Sequence, residues 1–129
     1  MAKKKRSKEL QKHWDRVASL GCLISGRPEP TLHHCHGASM KDIGVHRGKG
    51  QKPSDWLVIP LHFDFHTGEY GIDSGMVVIT WEKRFGSQVS FLDNLSVLLD
   101  VNVWRKAGIQ RDIVGYATMK DEMTWLESY

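Results

Sequence analysis

Trp56-Leu57-Val58-Ile59-Pro60-Leu61-His62-Phe63-Asp64-Phe65-His66 changes character halfway along. The first six residues are an apolar run bounded by turn formers. That is the pattern of a buried strand, and Pro60 is expected to close it. Residues 61–68 then predict one or two helical turns. On a helix, His62 and His66 are four apart and face the same way. Two imidazoles placed so can reach one divalent ion at about 2.0–2.2 Å each. A surface pair, or a core histidine with its hydrogen bond satisfied, explains the same spacing, so the pair alone decides little.

Upstream lies Leu32-His33-His34-Cys35-His36, three of the chain's seven histidines within four positions. The segment predicts a short strand. Successive strand side chains alternate in direction, so His33 and His34 would face opposite sides. One can then bind an ion while its neighbour faces a substrate. A neutral imidazole, with an ordinary pKa of about 6.5, suits general-base work. Between the two histidine runs, residues 37–55 carry Gly37, Gly44, Gly48, Gly50 and Pro53 with Lys41, Arg47, Lys49 and Lys52. This predicts a long basic loop, of the kind that is usually functional or mobile. His46 sits within it, and His13 stands alone near the start.

Further outward the pattern is helical. Leu10, Trp14, Val17 and Leu20 share one face of a helix over 9–20, which Gly21 ends. Gly26, Pro28 and Pro30 mark a turn-rich link. After the breaks at Gly68, Gly71 and Gly75, residues 76–81 read as a further strand or as the lead into the next helix. Ser87 is a plausible N-cap for a helix buried through Val89, Leu92, Leu95, Val97, Leu98 and Leu99. Residues 101–115 suggest another short helix, with Val103, Trp104 and Ile109 inward. Residues 116–129 give no clear pattern.

The chain has 129 residues, of which 40% are hydrophobic and 26% charged. This is one domain's worth of foldable sequence, expected over residues 9–129. Wholesale disorder is excluded, and no run of about 18 apolar residues exists to span a membrane. No apolar run follows the basic start, so no secretory signal is expected. Cys22 and Cys35 are too few for a disulfide scaffold, and a cytoplasmic protein is the expectation. The net charge is +3. Residues 1–12 hold six basic side chains (Lys3, Lys4, Lys5, Arg6, Lys8, Lys12) against Glu9, so the other 117 residues sum to −2. The basic character belongs to a tail, read as disordered over 1–8. Such tails bind polyanions without sequence preference, or simply aid solubility.

Two adjacent histidines on a strand, a glycine-rich loop, an apolar strand and a short helix with His-x-x-x-His together resemble the HNH, or ββα-metal, nucleases. Val58-Ile59-Pro60-Leu61-His62-Phe63-Asp64-Phe65-His66 is similar to the metal-binding end of the colicin-type DNases. The finer pattern resembles the phage Ref-type RecA-dependent nucleases. It runs His-His, Gly-x-His-Arg-Gly, Lys-Pro-Ser-Asp, Ile-Pro-Leu, then His-x-x-x-His-x-Gly, with Trp81-Glu82-x-x-Phe85-Gly86-Ser87-Gln88 downstream. It covers about residues 20–105.

The resemblance implies an α+β fold: a small ββα-metal core of a β-hairpin plus a short helix, with flanking N- and C-terminal helices. It implies an endonuclease that hydrolyses DNA phosphodiester bonds, with DNA held by a RecA-type recombinase filament as a further expectation. His34 falls where such enzymes keep the general base, and His33, His62 and His66 fall where they bind the metal. Magnesium or manganese is the expected activity metal, with zinc able to occupy the histidine site. Arg47, Lys49 and Lys52 are candidates to hold the DNA backbone, along with Lys3, Lys4, Lys5 and Arg6 in the tail.

Two departures stand out. The middle position of the motif, usually asparagine, is here Ser54 or Asp55. The paired Cys-x-x-Cys of many relatives reads Cys22-Leu23-Ile24-Ser25 and His62-Phe63-Asp64-Phe65. A structural zinc is therefore either lost, the preferred reading, or rebuilt from Cys22, Cys35, His36 and His46. If such a zinc survives, His62 could belong to it. The competing function is a non-catalytic zinc-binding module that docks on DNA or a protein. A small metallohydrolase of another class lacks the expected His-Glu-x-x-His or paired carboxylates.

Overall fold

A computed structural model describes residues 6–45 and 54–113. The chain is a mixed α+β domain of six helices and one two-stranded antiparallel sheet among these residues. The first helix, α1, spans Lys8–Ser19. Ser7 caps it: its hydroxyl accepts from the Leu10 N–H at 3.1 Å, a contact worth about 1 kcal/mol. Leu10, His13 and Val17 are buried along one face, and Leu20 is exposed.

Strand β1, Thr31–His34, pairs with β2, Val58–Leu61. His33 lies opposite Ile59, and His34 opposite Val58. Pro60 does not close β2 as expected from the sequence. It lies inside the strand opposite Leu32, and its carbonyl accepts from the Leu23 N–H at 3.1 Å. A two-stranded sheet leaves one side of each strand free of ladder bonds, which is where a proline is tolerated. All four residues of β2 are buried. It is the centre of the fold, with β1 beside it and α1 and the later helix α5 packed against it.

The long loop that follows β1 contains a short helix, α2 (Ala38–Lys41), entered through Gly37 at φ 101° and anchored by the buried Met40. After β2 come α3 (Phe63–His66), α4 (Val78–Phe85), α5 (Gln88–Leu99) and α6 (Val103–Lys106). Residues 78–81 thus belong to a helix, the second of the two readings open from the sequence. Ser87 caps α5, accepting from the Ser90 N–H at 3.1 Å. Leu92, Leu95 and Leu99 of α5 are buried as expected, but Leu98 faces out at 60% exposure. Trp81 and Trp104 are the largest fully buried side chains. The leucines and isoleucine around them contribute about 1.5–3 kcal/mol each by burial. No helix of the described residues is long and apolar enough to cross a membrane.

Candidate metal centre

His33 is wholly buried, yet both its ring nitrogens have partners. Nε2 lies 2.9 Å from Gln88 Oε1, and Nδ1 lies 3.1 Å from Asp73 Oδ2. His66, at the end of α3, places Nε2 2.9 Å from the same Asp73 oxygen and Nδ1 2.7 Å from the Thr31 hydroxyl. The two imidazole rings are 5.2 Å apart and nearly perpendicular. One donor atom each from His33, His66 and Asp73 lies within 4.8 Å of the others, the one such group of three among the described residues.

The hydrogen bonds around the group limit where its protons can sit. The Thr31 hydroxyl gives its single hydrogen to the Leu61 carbonyl at 3.0 Å. It can therefore only accept from His66, so His66 carries its proton on Nδ1 and presents a lone pair on Nε2. Gln88 imposes the mirror arrangement on His33: its Oε1 accepts, so His33 carries its proton on Nε2 and presents a lone pair on Nδ1. With each imidazole neutral, two lone pairs and a carboxylate oxygen then converge with no proton between them. Such a set repels itself unless a cation, or added protons, fill the middle. Atoms bound to one ion at about 2.1 Å stand about 3.0–3.4 Å apart, close to the 2.9 and 3.1 Å seen here. The residues fit a divalent ion.

Asp73 is the member that the histidine spacing did not reveal. Burial alone would raise its carboxyl pKa. With protons rather than a cation in the middle, hydrogen bonds from His33, His36 and His66 outweigh that and hold it far below the ordinary carboxylate range. His36 supports it from outside, with Nε2 2.8 Å from the second oxygen, Oδ1. The loop from α3 folds back to deliver this residue. The Ile72 N–H donates to the Phe65 carbonyl at 3.1 Å and the Asp73 N–H to the His66 carbonyl at 2.9 Å. Gly71 permits this approach, since a Cβ there would lie 2.6 Å from the His66 carbonyl oxygen.

His62 does not join the group. It sits outside α3, as its N-cap, at φ −58° and ψ 147°. Its Nδ1 accepts from the Asp64 N–H at 3.2 Å and lies 3.5 Å from the Arg27 guanidinium. The helical i, i+4 geometry needs both histidines inside the helix, and capping removes His62 from it. Arg27 also pairs with Asp64 at 3.1 Å.

Cys22, Cys35 and His36 do not converge either. Cys35 is a core thiol; burial, helped by Glu82 and Asp73, pushes its pKa well up. Cys22 is buried elsewhere. There burial is outweighed by hydrogen bonds from the backbone of His62 and from Ser25, which lower its thiol below the ordinary range. Both cysteines are free.

His34 points the other way from His33, as strand alternation requires. It is about one-third exposed. Its Nε2 lies 2.9 Å from Asp55 Oδ1, and a carboxylate only accepts, so Nε2 carries the proton and Nδ1 the lone pair. Trp14 of α1 stands edge-on to it, with ring centroids 5.7 Å apart, and donates its indole N–H to the Asp55 carbonyl at 2.7 Å. Arg6 lies over the Trp14 ring at 3.9 Å. Lys3, Lys4, Lys5, His46, Arg47, Lys49, Lys52 and residues 114–129 lie outside the described residues. Compared with protein families, curated proteins and solved structures, the chain matches none.

Proposed function

We propose that this protein is a metal-dependent endonuclease of the HNH type. His33, His66 and Asp73 would hold its divalent ion, and His34 would act as general base. The observation that carries this reading is the convergence of two imidazole nitrogens and one carboxylate oxygen within 4.8 Å of one another. Three protein donors is the number that ions with an open, reactive position usually keep. A two-strand hairpin followed by a short helix supports the same reading, since β1 supplies His33 and His34 and α3 supplies His66.

When bound, the ion would supply Lewis-acid stabilisation of the charge developing on the phosphate. The remaining work falls to the chain. His34 would take a proton from the attacking water at Nδ1, while Asp55 holds the ring by Nε2–H and stabilises the imidazolium that forms. Arg6, over Trp14, would place a guanidinium near the DNA backbone on the His34 side. Magnesium or manganese is the proposed activity metal, although two imidazoles also suit zinc. DNA is the proposed substrate, and a RecA-type recombinase filament is the proposed presenter of it.

Nicking of supercoiled plasmid and cutting of recombinase-coated DNA with Mg2+ or Mn2+, with and without chelator, tests this. His34→Ala is expected to lower the rate about 10²–10⁴-fold while the protein still binds metal. Equal cutting by both proteins would remove His34 from the mechanism. Metal binding without cleavage of either substrate would favour the docking module.

A further inference from the structure

Gln88 is fully buried at the first residue of α5, against the metal centre and away from solvent. A buried amide costs free energy unless its polar atoms are paired, and an apolar side chain would fill the same space without that penalty. Here they are paired in one orientation only. Nε2 donates to the His36 carbonyl at 2.7 Å, and Oε1 accepts from the His36 N–H at 3.1 Å. Flipping the amide would set N–H against N–H and oxygen against oxygen. Oε1 is therefore the atom that faces His33 Nε2 at 2.9 Å.

We propose that Gln88 is the positioning residue of the metal centre, locking His33 in the Nε2–H tautomer so that Nδ1 presents its lone pair to the ion. This rests on reading His33, His66 and Asp73 as metal ligands. It also gives a task to the run Trp81-Glu82-x-x-Phe85-Gly86-Ser87-Gln88, which stood out in the sequence without one. Glu82 accepts from the Gln88 N–H at 2.8 Å and from the Ser39 hydroxyl at 3.1 Å, fixing where α5 begins. Gly86 turns the corner at φ 125°, a conformation that disfavours any other residue. Trp81 donates its indole N–H to the Phe65 carbonyl at 3.1 Å, tying down the helix that carries His66. One corner between α4 and α5 thus holds both histidines.

Long-range 1H–15N spectra of the metal-free protein read the tautomer directly, and titration with Zn2+ alone reads the ligand set. The wild type should show His33 as Nε2–H. Gln88→Met, similar in length and unable to accept from His33, should lose that preference. It should also bind Zn2+ about 10–100-fold more weakly, with circular dichroism unchanged. Gln88→Glu, with its second oxygen protonated to donate to the His36 carbonyl, keeps an acceptor facing His33 and should retain the tautomer, with affinity within a few-fold of wild type. If Gln88→Met does not fold, the wild-type spectrum and Gln88→Glu decide. A wild-type His33 that carries its proton on Nδ1 and not on Nε2 overturns the proposal, as does Zn2+ binding by folded Gln88→Met at wild-type affinity. A wild type that shows the Nε2–H tautomer but binds no Zn2+ overturns the metal reading and leaves the lock standing.

Discussion

His13 and His33 are both buried histidines, and their partners separate them. His33 has an acceptor on one nitrogen and a carboxylate on the other. His13, 4% exposed, leaves Nε2 with no hydrogen-bond partner among the described residues and packs 5.0 Å from Trp56. Burial lowers its pKa, and the nearby Arg16 and Lys106 add to the effect, against a hydrogen bond with the Trp56 backbone. The unfolded chain therefore binds this proton more readily than the native state does. Stability must rise with pH through this group and fall as pH drops below about 6.5. Denaturant unfolding between pH 7.5 and 5 should show that loss, and His13→Leu should show a shallower decline over the same range. An unchanged pH profile in His13→Leu would contradict the assignment.

At the scale of elements, the centre depends on a loop. The segment after α3 carries Asp73 back onto His66 through two backbone hydrogen bonds, and the space for it exists because Gly71 has no side chain. Gly71→Ala is expected to weaken Zn2+ affinity at least 10-fold, by displacing a ligand, with α1 and α5 intact by circular dichroism. Wild-type affinity in that variant would show that the loop tolerates a Cβ. The same loop explains what the sequence left hidden. Periodicity revealed α1 and α5, and the apolar run marked β2, because both depend on neighbours in the chain; the pairing of β1 with β2 came only from the resemblance. Asp73 reaches the centre through tertiary closure, which no local pattern encodes. His62 misled for the converse reason. Its spacing from His66 suits a helix, but α3 starts one residue later and uses His62 as its cap. His33 and His66 were legible as candidates from the two histidine runs, and their place as ligands came from the resemblance.

Across the whole molecule, β2 forms the buried axis and β1 separates two chemistries. His33, with Asp73, His66 and Gln88, lies on one side of β1; His34, with Asp55, Trp14 and Arg6, lies on the other. On the proposed reading, the division would give one strand both a metal ligand and a base. It also sets His34 beside α1, whose first turns carry Lys8 and Lys12 and follow the basic residues of the start. The most direct test of the central claim is anomalous diffraction from crystals soaked in Mn2+. A single peak bonded to His33 Nδ1, His66 Nε2 and an Asp73 carboxylate oxygen is the predicted result. A peak between Cys22 and His62, with the His33 and His66 nitrogens left bare, would contradict it.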